Sequence, residues 1–253
     1  MGIEHAIAAS YVAFLWWFST AAILRADRLP PRTFPITLGG ATVLLALGLA
    51  GILASRDNAT PAGNYAAFGS ALLVWAWAET AFLLGYVTGP RTTSLSSSGW
   101  GRFAQAVATI LWHEVATIGL LVVIAVLAAD AANPLAFDTF ALLWLLRVSA
   151  KLNLFLGVRN TGESLLPPHL GYLASYFARR RSNALMPVSL LAMAGAGGLM
   201  AIAAFDPGIR PHDSTALVMK ATLLALAALE HVFMVLPLDL TRIFAWSATS
   251  PPR

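Results

Sequence analysis

Seven stretches of this chain stay apolar for about the twenty residues a helix needs to cross the hydrocarbon core of a bilayer. Their limits read as 3–24, 35–54, 65–87, 103–129, 137–157, 184–205 and 214–238. A backbone in hydrocarbon must satisfy its own N–H and C=O groups, and a run of this length does so as a helix. Only 11% of the residues are charged and 58% are hydrophobic, against about 25% charged in a soluble domain. No polar block is long enough to fold by itself in water. The sequence therefore predicts an all-α polytopic membrane helical bundle, residues 1–253 forming a single membrane domain. The fifth run is the least regular, because Arg147, Lys151 and Asn153 interrupt it.

The connections alternate in charge. The first carries Arg25, Arg28 and Arg32, the third Arg91 and Arg102, and the fifth Arg159, Arg179, Arg180 and Arg181. The others hold Arg56 or Arg210, with Asp57, Asp130, Asp206 and Asp213 close by. Basic loops remain on the cytoplasmic side, so the N-terminus is expected outside and the C-terminus and the 158–183 loop inside. The first ten residues contain no Lys or Arg, which argues for a retained helix over a cleaved signal. The net charge of +4 reads as attraction to anionic membrane lipid and not to nucleic acid. Without cysteine, disulfides, thiolate metal sites and cysteine catalysis are excluded.

The loop from Val158 to Asn183 mixes polar groups, a Pro pair and aromatic residues. Leu170, Leu173 and Phe177 fall at i, i+3 and i+7, one face of a helix. His169 to Arg181 is therefore expected to form a short interfacial amphipathic helix with its basic end among the headgroups.

Five ionisable residues lie inside the apolar runs: Glu79 in the third, His113 and Glu114 in the fourth, Glu230 and His231 in the seventh. An ionisable group within a membrane costs several kcal/mol and marks a functional hypothesis. Counted from the arginine-bearing ends, all five lie roughly 10–16 Å deep at 1.5 Å per residue. They are expected to converge, with Glu163 and His169 of the cytoplasmic loop folding over them. Three chemistries suit these residue types. Carboxylates and imidazoles from Glu79, His113, Glu114, Glu163, His169, Glu230 and His231 could ligate a di-metal centre of iron or manganese, although the Glu-x-x-His step of di-iron bundles is absent. His113, His231 or His169 could ligate a tetrapyrrole such as bacteriochlorophyll. The same groups could also simply pair with one another and lock helices together. His113-Glu114-Val115-Ala116-Thr117 misses the second histidine of a zincin motif, so a zincin protease is excluded. His5 and His212 read as solvated loop termini.

Several stretches together resemble the photosynthetic complex assembly protein 2 family, also called PuhE, of purple phototrophic bacteria. They are Leu111-Trp112-His113-Glu114, the segment KLNLFLGVRNTGESLLPPHLGYLASYF from Lys151 to Phe177, and Glu230-His231. The resemblance covers nearly the whole chain, and its specific part is 151–177. It implies a factor for building the reaction centre and core antenna in the inner or intracytoplasmic membrane, with their subunits or pigments as partners. It assigns no catalytic residues. The alternative from the buried cluster is a membrane metal-dependent oxidase or hydroxylase acting on a tetrapyrrole or isoprenoid. A transporter using the carboxylates as proton relays lacks the internal repeat such proteins often carry.

Overall fold

The computed structural model describes residues 2–97 and 101–237. The expected end of the seventh run at Leu238 lies outside the described residues. Among the described residues seven α-helices are present: α1 (Gly2–Ala26), α2 (Phe34–Ser55), α3 (Pro61–Leu83), α4 (Arg102–Leu127), α5 (Leu135–Leu156), α6 (Leu185–Ala204) and α7 (Pro211–Val235). Each is long and apolar enough to span a bilayer, so the chain is a multi-pass membrane protein. Among the described residues there is no strand, only an isolated bridge between Val158 and Arg179.

The bundle is organised round α3, which packs against α1, α2, α4, α5 and α7, while α6 lies outside against α7 and α5. Small and aromatic residues of α3 (Ala67, Phe68, Ala71, Val74) meet Ala8 and Val12 of α1, Phe140 of α5 and Met219 and Leu223 of α7 in the main apolar core. That core fills the half of the bundle where α3 begins. A smaller cluster, Phe82 and Leu83 with Leu170 and Leu173, closes the other end.

Successive helices alternate in direction. At one end His5 meets Ser214 (Nε2–Oγ 2.7 Å), the Asn64 amide donates to the His212 carbonyl (2.7 Å), and the Asn133 N–H donates to the Arg56 carbonyl (2.8 Å). His5 and His212, expected as solvated, are buried in these contacts. At the opposite end Arg102 donates to the carbonyls of Phe155 (2.8 Å) and Tyr176 (2.7 Å), Arg91 to the Tyr176 hydroxyl (2.6 Å), and Tyr176 to the Thr93 carbonyl (2.9 Å). The first, third and fifth connections, the arginine-bearing ones, thus share one end.

Two local features set that end. α3 stops four residues before the expected Val87, because Gly85 takes a left-handed φ of 85°. The Gly85 N–H then reaches the Phe82 carbonyl (2.9 Å) and the Tyr86 N–H the Ala81 carbonyl (3.0 Å), the paired bonds of a Schellman stop. The following segment turns back along α4. Gly89 lies so close to α4 that a Cβ there would sit 2.1 Å from the Ala108 carbonyl oxygen. That approach lets the His113 N–H donate to the Thr88 carbonyl (3.0 Å) and the Arg91 N–H to the Ala108 carbonyl (3.1 Å).

The expected interfacial helix differs from the prediction. Pro168–Tyr176 is a 3-10 helix, and Phe177 begins extended chain that carries Arg179 into its bridge with Val158. With three residues per turn, the buried row becomes Leu170, Leu173 and Tyr176. The segment docks on the end of α3, with its basic residues beyond the helix.

Candidate functional site

α5 is the hub of the polar network. Positions four apart lie on one helix face and positions two apart lie about 200° round. Arg147 and Lys151 therefore face one way, Ser149 and Asn153 the other.

Towards α3 and α4, Arg147 donates to Glu79 (Nη2–Oε2 2.7 Å) and Lys151 to Glu114 (Nζ–Oε1 2.5 Å). The Trp144 indole, one turn before, reaches the second Glu114 oxygen (3.3 Å). His113 completes the triangle, with Nε2 3.8 Å from Glu79 Oε1 and its ring against Phe82 (centroids 4.7 Å). Glu79 and His113 are buried, while 42% of the Arg147 side chain is exposed. Neighbouring residues point apart, as the 100° step of a helix requires. Thus His113 turns to α3 while Glu114 turns to α5.

Towards α6 and α7, His231 Nδ1 lies 2.9 Å from the Ala227 carbonyl and Nε2 3.0 Å from Ser149 Oγ. A carbonyl only accepts, so Nδ1 carries the hydrogen and the Ser149 hydroxyl donates to Nε2. Ser189 Oγ lies 3.0 Å from Ser149 Oγ, and the Asn153 amide donates to it (3.1 Å). A hydroxyl–amide chain thus joins α5, α6 and α7 with the histidine at its end.

Glu230 belongs to neither group. It continues the inward row Met219, Leu223, Leu226 of α7, at steps of three and four, yet it is exposed. It is in electrostatic reach of Arg147 and Glu79 and has no ion pair among the described residues. The apolar core has ended at this level, and Glu230 is exposed as the Arg147 side chain partly is.

The remaining candidates lie elsewhere. Glu163 pairs with Arg179 outside the spans. His169 Nε2 is bonded to the Leu83 carbonyl (2.8 Å), one turn beyond Glu79 along α3. Among the described residues no group of three His, Asp or Glu side chains is placed to hold a metal ion. Of the five residues expected to converge, Glu79, His113 and Glu114 meet through Arg147 and Lys151, while His231 turns to Ser149 and Glu230 joins neither set; Glu79 stands about 6 Å from the end of α3, at four residues of 1.5 Å. Sequence reasoning missed Arg147 as the partner of Glu79 and Ser149 and Ser189 as the partners of His231. The four-residue spacing of Arg147 and Lys151 is the signal that could have found the first pair. It also missed Lys220, which crosses to Asp138 (2.8 Å) in the other half of the bundle.

Comparison with known proteins places the chain. A family described as "Protein of unknown function (DUF3623)" matches residues 3–253. The chain belongs to the DUF3623 family. It is 41% identical over 246 residues to a Rhodobacter capsulatus protein, described as "Uncharacterized 30.4 kDa protein in puhA 5'region". The alignment covers 94% of this chain and 88% of that relative. No solved structure matches. The charged triangle and the hydroxyl–amide chain therefore describe this DUF3623 member from its own geometry alone.

Proposed function

We propose that this chain is an integral membrane factor for assembly of the bacterial reaction centre and core antenna complex. The observation that carries the reading is the near full-length relative described as lying in the puhA 5' region, which supports the role that the resemblance to the PuhE family implies. The network supports a scaffold. Glu79 and Glu114 are held by Arg147 and Lys151, and His231 has both ring nitrogens engaged. Charges paired within a bundle fix helix positions; they leave few groups free for chemistry.

The proposed membrane is the inner or intracytoplasmic membrane of the cell. Gathering the arginines at one end supports a periplasmic N-terminus and a cytoplasmic C-terminus. Partners in this reading are anionic lipid and the reaction-centre and core-antenna subunits or their pigments. The test is deletion of the gene in a phototrophic host followed by complementation. Near-infrared absorption of assembled reaction centre and core antenna should fall on deletion and recover with the wild-type chain. Unchanged accumulation after deletion would overturn the reading.

A further inference from the structure

The arginine-bearing end holds a second feature, unused by the charged network. A cavity of about 370 Å³ lies between the start of α2, the end of α3 and the 3-10 helix. Phe34, Leu84 and Leu170 form apolar walls, and His169, Tyr172 and Thr92 supply polar groups. Among the described residues no Asp, Glu, Lys or Arg lines it.

His169 is held in one orientation. Its Nε2 donates to the Leu83 carbonyl (2.8 Å), and its ring packs on Phe34 with centroids 5.7 Å apart. Gly85 lies under the ring: a Cβ there would sit 3.1 Å from His169 Cδ2. Because Nε2 carries the hydrogen, Nδ1 of the neutral ring is an acceptor. No hydrogen bond reaches Nδ1 among the described residues, and the side chain is exposed. The Tyr172 hydroxyl is enclosed beside the Thr88 side chain without a hydrogen bond of good geometry. The cavity thus offers a fixed acceptor on an otherwise apolar, aromatic wall.

These features select a ligand class. An ionic ligand would be desolvated without a counter-charge, and a hydrocarbon would leave the imidazole acceptor unpaired. A neutral ring bearing a hydroxyl satisfies it. A volume of this size is at the small end for ligand pockets, enough for a ring headgroup while an apolar tail remains in lipid. We propose that this cavity binds a neutral amphiphile of the quinol class by its headgroup, with His169 Nδ1 accepting from a ring hydroxyl. The proposal is independent of the assembly reading.

The test uses the full chain in nanodiscs and decylubiquinol as probe, with equilibrium dialysis under anaerobic conditions against empty nanodiscs. Saturable binding at one site per chain is expected. His169→Ala should weaken it about tenfold, the upper range of one lost hydrogen bond. Thr92→Trp should abolish it by filling the cavity mouth; Thr92 is exposed, so the fold tolerates the larger side chain. Should His169→Ala fail to fold, Thr92→Trp alone decides. Binding no greater than in empty nanodiscs, or binding that survives Thr92→Trp, would overturn the proposal.

Discussion

Removing the guanidinium of Arg147 tests whether the charges are structural. In Arg147→Met the Glu79 carboxylate loses its 2.7 Å partner while remaining buried, with His113 Nε2 still 3.8 Å away. Two unit charges about 4 Å apart attract by roughly 4 kcal/mol at an effective dielectric of 20. Breaking a buried pair from one side costs about 3–5 kcal/mol, because the remaining charge stays desolvated. The 42% exposure of the Arg147 side chain lets water screen part of this, so the expected loss is at the low end, about 3 kcal/mol. Glu79→Gln together with Arg147→Met removes both charges, and the double variant should recover most of it. A double-mutant cycle on folding stability in mild detergent should give a coupling energy of about 2 kcal/mol. The same cycle between Arg147 and the distant Asp138 should give none. If Arg147→Met matches the wild-type chain in stability, or if the double variant is as unstable as the worse single one, the pair is not holding α3 to α5.

Asp27, just beyond α1, has its carboxyl raised by burial from 3.8 to about 6, against the pull of Arg28. Its folded form therefore holds the proton more tightly than its unfolded form, so stability is fullest below about pH 4 and falls as the pH rises through 6. Asp27→Asn should raise the thermal midpoint at pH 7.5 by about 2–4 °C, roughly 1 kcal/mol after discounting for solvent screening, and change little at pH 4; equal gains at both would refute the assignment. Gly89→Ala should cost about 2–3 kcal/mol by overpacking, since its Cβ would collide with the Ala108 carbonyl oxygen. Gly119→Ala, with nothing within 4 Å of the new Cβ, is the control, and similar thermal midpoints for the two would show that the segment does not lie on α4. Reporter fusions after Arg102 and after Arg210 should give opposite location signals, because these residues stand at opposite ends of the bundle; identical signals would sink the proposed topology.

The seven spans, their alternation and the shared end of the arginine-bearing connections were legible in the sequence, because bilayer thickness fixes span length and loop charge is a local property. Position along each helix was legible too, since rise per residue converts sequence position into depth. Depth says nothing of azimuth. Only the packed bundle decided that Arg147 reaches Glu79 while Ser149, two residues on, turns to His231. Only packing, too, replaced the expected α-helical row Leu170, Leu173, Phe177 by the 3-10 row ending at Tyr176. The end of α3 depended on the left-handed φ of Gly85, and the docking of the next segment on the missing Cβ of Gly89. Hydrophobic length and loop charge act one segment at a time, so the sequence carries them directly. Rotation about each helix axis is settled when several helices pack together, and it decides which groups meet.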